Sequence, residues 1–192
     1  MCGEKKLEPA ATEADNDNYG AGVVKLASFE AIVSALEDAS VRYLVAGGLA
    51  VGAHGYMRLT KDADVVVQLF PENIQRAFSA LGSLGYRPLV PITAEQFADA
   101  ALRESWILEK GMRVLQFWSD KHRETPVDMF VTEPFHFDEE YGRALVKPLY
   151  GTIPVRFVTI PTLIRMKETA GRPQDRIDIE HLRMRLEDDA EE

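Results

Sequence analysis

Cysteine is nearly missing from this sequence: Cys2 is the only one, so no intrachain disulfide can staple the fold and a buried core must hold it. Basic residues are also scarce, with 22 Lys and Arg against 31 Asp and Glu for a net charge of −9. An average field of that sign repels phosphate, which disfavours nonspecific binding to DNA, RNA or anionic lipid but leaves room for a locally basic cleft. No apolar run approaches the ~20 residues of a membrane span. The opening stretch MCGEKKLEPAATEADNDNYG lacks the hydrophobic centre of a signal peptide, so a cytoplasmic protein with no membrane partner is expected. The four histidines, His54, His122, His136 and His181, have no metal-ligand spacing, and no zinc site is expected.

What remains is ordinary globular material: 46% hydrophobic residues in 192, enough for one core and a small appended helical unit. Residues 1–22 carry no apolar period and read as a disordered tail. Residues 23–160 read as the core domain, and 161–192 as a C-terminal helical segment packed on it. Leu26, Phe29, Ile32, Val33 and Leu36 recur at spacings of three and four, which predicts a helix over 25–39. A strand over 41–46 follows, broken by Gly47-Gly48, then a short helix over 49–54. Val65-Val66-Val67 suits a buried strand, Pro71 a helix's first turn, and Gly85 that helix's end. Further on, a helix is expected over 94–110, strands over 112–118 and 126–132, a hairpin of 145–150 with 153–159, and two helices broken at Gly171-Arg172-Pro173.

The chemistry-bearing residues are carboxylates. Asp62 and Asp64 flank Ala63 at a strand start, and a strand's period of two sends both to one face. Like charges ~4 Å apart repel by roughly 4 kcal/mol at an effective dielectric near 20. The pair therefore asks for exposure, a proton or a cation, and the adjoining valines argue against full exposure. A solvated turn remains open as a reading; a hard divalent cation sharing phosphate oxygens is the other. Asp128 interrupts the extended, buried-looking TPVDMFVT, either at a water-facing edge or as a third ligand; three such groups can hold two metals for in-line phosphoryl displacement. Gly47-Gly48 leaves a strand and opens a helix, where backbone N–H groups can approach a phosphate. Arg58 and Lys61 add positive charge nearby. Lys167, four residues after Leu163 on an amphipathic helix, can pack its stem and reach a cleft with its ammonium, or lie on a solvated face. Asp175 and Asp178 share a face near the start of the last helix, where they could cap it or favour its dipole. Trp106, Phe117 and Trp118 read as core or groove-lining residues.

Gly47-Gly48, Asp62-Ala63-Asp64 and the distant Asp128, in that order, resemble the DNA-polymerase-β-like nucleotidyltransferase superfamily. Within it, RLTKDADVVV and LIRMKETAGRPQDRIDIEHL look most like the abortive-infection (AbiEii-type) nucleotidyltransferases and their bacterial relatives; Lys167, Ala170, Arg172, Asp175 and Asp178 match their late motif. The resemblance implies an α+β (mixed α/β) nucleotidyltransferase fold, a central mixed β-sheet flanked by helices, with C-terminal helices. It implies Mg²⁺ or Mn²⁺ held by Asp62, Asp64 and Asp128, and an NTP, such as ATP, contacted by Gly47, Gly48, Arg58, Lys61, Lys167 and Arg172, with Asp175 and Asp178 in support. The implied reaction moves an NMP to an acceptor hydroxyl and releases pyrophosphate; the acceptor is RNA, protein or a small molecule such as an aminoglycoside, and an antitoxin is a candidate partner protein. A noncatalytic nucleotide-binding or antitoxin-like interaction module is the alternative from another class.

Overall fold

The computed structural model describes residues 23–191; the tail expected over 1–22 lies outside the described residues. The chain runs α1 (Leu26–Asp38), β1 (Tyr43–Val45), α2 (Gly47–Ala53), β2 (Ala63–Val67), α3 (Pro71–Ser83), β3 (Arg87–Pro88), α4 (Ala94–Ala98), α5 (Ala100–Lys110), β4 (Val114–Trp118), β5 (Val127–Phe130), α6 (Phe137–Arg143), β6 (Leu145–Leu149), β7 (Ile153–Phe157), α7 (Ile160–Ala170) and α8 (Pro173–Glu191). The strands form one sheet in the order β3-β4-β5-β2-β1-β7-β6. It is mixed: β2 pairs parallel with β5 and β1 with β7, and the remaining pairs are antiparallel.

Sequence patterning explains the layers. In β4 and β5 burial alternates, so Leu115, Phe117, Val127 and Met129 enter the core while Val114, Gln116, Trp118, Asp128 and Phe130 stand half-buried on the opposite face. On the core side, α1 presents Phe29, Ile32, Val33 and Leu36 and packs against α3, and Phe78 of α3 meets both Phe97 and Phe117. Leu163 and Ile164 of α7 and Ile179 and Leu182 of α8 belong to the same hydrophobic cluster.

The helix expected over 94–110 is two helices. Asp99 adopts an extended backbone, φ −73° and ψ 112°, and its carboxylate accepts the N–H groups of Ala101 and Leu102, ending α4 and capping α5. Local side-chain capping overrides the apolar periodicity there. A second cap, the Thr93/Gln96 box, starts α4. The short elements β3 and α6 were not anticipated, since two strand residues and seven helical ones give little periodic signal.

Candidate active site

The sheet register brings the carboxylates together. In the parallel pair β2–β5, Asp64 stands directly opposite Asp128, and Asp62 lies two residues before Asp64, on the same face by strand period. In the antiparallel pair β4–β5, Gln116 stands directly opposite Asp128. One row across three strands therefore reads Gln116, Asp128, Asp64, on the half-buried face of the sheet. The Gln116 side-chain amide donates to Asp128 Oδ1 at 2.8 Å.

Electrostatics follow from this packing. Asp64 keeps some contact with solvent but sits deep enough that burial is the largest influence on it. Burial, then the Asp62 and Asp128 carboxylates, push its pKa up to about 7, against the opposing pull of Lys167 and Arg172. Burial also raises Asp128; the Gln116 amide opposes the rise, Asp62 adds to it and Arg172 moderates it. Among the described residues, the hydrogen-bond partner of Asp62 is Thr60 Oγ1 at 3.5 Å, too long to contribute much.

The glycine pair is required by this same cluster. At Gly47, φ is +59° and a Cβ would fall 1.7 Å from Asp64 Oδ2. At Gly48 a Cβ would fall 2.4 Å from Thr60 Oγ1 and 3.0 Å from an Arg58 guanidinium nitrogen. The space a side chain would fill is occupied by Asp64, Thr60 and Arg58, so what these glycines offer a phosphate is backbone N–H alone. The first N–H groups of a helix have no intrahelical partner.

Lys167, expected to project into a cleft, is instead 5% exposed. Its ammonium donates to Asp175 Oδ1 at 3.2 Å and Asp178 Oδ2 at 2.5 Å. Arg58 is held in a two-pronged bond to Asp178, with Nε to Oδ1 and Nη2 to Oδ2 both at 2.8 Å, and Gln174 adds a bond at 3.1 Å. Asp178 is fully buried; burial alone would raise its pKa, but the bonds from Arg58, Lys167 and Gln174 hold it below the usual value. Asp175 also accepts the Arg172 backbone N–H at 3.0 Å, bracing the start of α8 as its sequence position suggested. Two cations and two anions thus form a balanced set behind the three aspartates. Arg172 is exposed and its charge acts on both Asp64 and Asp128, whereas Lys61 stays on the exposed surface.

No group of three or more His, Cys, Asp or Glu side chains is drawn into a preformed metal cage among the described residues. The donor chemistry nonetheless fits a hard cation: two facing carboxylates and a third beside them, with the Asp64 pKa raised by burial and then by its two neighbours. Mg²⁺ uses one or two carboxylates and takes other oxygens from water and substrate phosphates, so a closed protein cage is not what it requires. Sequence reading missed Gln116, although a lone polar residue within the alternating strand VLQFW was the available signal. A separate cleft of about 1030 Å³, lined by Gln68, Phe70, Arg103, Ile107 and Glu133 among others, opens beyond the far ends of β2 and β5 and does not include Asp62, Asp64 or Asp128.

No protein-family model matches the chain, and no curated protein matches it in sequence. Solved structures do. The lincomycin-bound lincosamide antibiotic adenylyltransferase LnuA aligns at TM-score 0.56 and 12% identity, over 84% of this chain and 98% of that one. The antibiotic-resistance factor ANT(2'')-Ia aligns at TM-score 0.53 and 15% identity, over 85% and 83%. A nucleotidyltransferase-like antigenic protein from Paracoccidioides brasiliensis aligns at TM-score 0.50 and 13% identity, over 84% and 78%. The chain has the nucleotidyltransferase fold, a mixed seven-stranded sheet with flanking helices, and no helix among the described residues is long and apolar enough to cross a membrane.

Proposed function

We propose that the protein is a metal-dependent nucleotidyltransferase that moves an NMP from an NTP to an acceptor hydroxyl. The observation that carries this reading is the in-register meeting of Asp64 and Asp128, with Asp62 on the same face and Gly47 shaped to admit the Asp64 carboxylate. Asp62, Asp64 and Asp128 would hold Mg²⁺ or Mn²⁺, which supplies neutralisation of the triphosphate and acidification of the acceptor hydroxyl. The acceptor oxygen bonds to the α-phosphorus, the bond from that phosphorus to the α,β-bridging oxygen breaks, and pyrophosphate leaves. Asp128, in register beside Asp64, takes the hydroxyl proton. Backbone N–H groups at Gly47 and Gly48, and the Arg172 charge, face the phosphates, while Lys167 and Arg58 act from the balanced set with Asp175 and Asp178.

That balance matters for binding order. With Lys167 and Arg58 spent on Asp175 and Asp178, the carboxylates outnumber the free positive charge beside them, so nucleotide enters with its divalent cation. Calorimetry with a nonhydrolysable ATP analogue tests this: the parent binds it with Mg²⁺ and not with EDTA, and Asp62→Asn/Asp64→Asn loses at least tenfold in affinity. Equal affinity in the double variant would move the nucleotide site elsewhere.

A small-molecule acceptor is the favoured finer reading, supported by the fold neighbours named as antibiotic adenylyltransferases and by a net charge of −9 that repels RNA. AbiEii-type kinship, with a toxin role and an antitoxin partner, is supported by the ordered late motif, whose Lys167, Asp175 and Asp178 act as one bonded unit. A noncatalytic binding module would have no need of Asp128.

A further inference from the structure

Gln116 has no place in the three-aspartate pattern, yet it is the residue most directly bonded to it. We propose that Gln116 is a positioning residue that fixes the Asp128 carboxylate for the incoming acceptor; this rests on the nucleotidyl-transfer reading of the same site. β4 runs antiparallel beside β5, and the register sets Gln116 directly opposite Asp128. Its amide nitrogen lies 2.8 Å from Asp128 Oδ1. Only the NH₂ end of the amide can donate to a carboxylate, so the contact fixes the orientation of both groups.

The consequence is a division of labour between two oxygens. Oδ1 is engaged by the amide, which stops the carboxylate from rotating about its terminal torsion, one of the broad and weakly restrained ones in proteins. Oδ2 is left for the reaction itself, where the metal and the acceptor hydroxyl would meet. Neighbouring strands hold both residues by backbone bonds, and Leu115 and Phe117, on either side of Gln116, are buried in the core. The Gln116 backbone carbonyl also accepts the Leu89 N–H at 2.9 Å, so the strand carrying the amide is anchored on both edges. A group held this way on rigid strands gives the geometric control that proton transfer needs, where a misplacement of ~1 Å costs on the order of 10²-fold in rate.

Gln116→Leu keeps the bulk and removes the donor. Gln116→Glu keeps length and shape but sets a second carboxylate against Asp128. Both variants are checked for folding by circular dichroism and melting. The expected result for Gln116→Leu is unchanged affinity for Mg²⁺ with the ATP analogue and a turnover lower by ten- to a hundredfold at saturating nucleotide; Gln116→Glu at neutral pH falls at least as far and does not rescue. A purely packing role would lower melting temperature without splitting turnover from binding. The second readout needs no turnover: the Gln116 side-chain amide protons, followed by ¹⁵N NMR, should lie downfield in the parent and move upfield in Asp128→Asn. Wild-type turnover in a folded Gln116→Leu, or an amide signal indifferent to Asp128→Asn, overturns the proposal. A parent that turns over no acceptor counts against nucleotidyl transfer, and with it the acceptor-facing role, while the amide signal still decides whether the bond exists.

Discussion

At the scale of single residues, the site is defined by what Gly47 lacks. A methyl group there would sit 1.7 Å from Asp64 Oδ2 on a backbone at φ +59°, so Gly47→Ala must both strain the chain, by about 1–2 kcal/mol, and displace the carboxylate. The expected outcome is a folded protein of lower melting temperature whose Mg²⁺-nucleotide affinity falls at least tenfold by calorimetry; retained affinity would separate the glycine from the site. Asp64 gives a second prediction. Between its ordinary value near 3.8 and about 7, the folded protein holds a proton that the unfolded chain has released. The stability from this group is therefore greatest at low pH and falls as pH rises through that window, by about 4 kcal/mol in total. Without divalent cation, Asp64→Asn should be more stable than the parent at pH 8, with the difference shrinking toward pH 4; urea unfolding at the two pH values measures it. A cation competes with that same proton, so metal-nucleotide affinity should climb with pH through about 7. The Asp-x-Asp was legible in sequence because strand period alone places both residues on one face. The reason for Gly47 was not, because its missing side chain makes room for a residue 17 positions later.

At the scale of elements, Asp178 ties three segments together: the loop carrying Arg58, α7 through Lys167, and α8 itself. Asp178→Ala would leave buried Lys167 and half-buried Arg58 against reduced compensation, a loss of about 3 kcal/mol, read as a lower urea midpoint. The same reasoning makes Lys167→Ala destabilising, since Asp175 and Asp178 lose a shared partner. The break at Gly171-Arg172-Pro173 between α7 and α8 and the hairpin of β6 with β7 were readable because Gly, Pro and a Gly-Thr turn punctuate a clear period. That Lys167 would be buried was not, because a helix-period reading cannot tell a solvated lysine from one facing carboxylates on the next helix. Asp99 illustrates the same gap, a polar residue inside an apolar period whose side chain ends one helix and begins another.

At the scale of the whole molecule, topology makes the site. Asp62 and Asp64 come before the middle of the chain and Asp128 well after it, and only the parallel pairing of β2 with β5 sets them side by side. The order of motifs was visible in the sequence; register was not, and register is what adds Gln116 to the row. The central claim is that this row transfers a nucleotide, and labelled transfer tests it most directly. The protein is incubated with Mg²⁺ and each α-³²P-labelled NTP against antibiotics of the aminoglycoside and lincosamide classes, lysate protein and total RNA, beside Asp128→Asn. The account predicts that the parent moves label onto one acceptor class with release of pyrophosphate, while Asp128→Asn binds the nucleotide and transfers at least a hundredfold more slowly. Equal transfer by parent and Asp128→Asn, or binding without transfer to any acceptor in the parent, would contradict it.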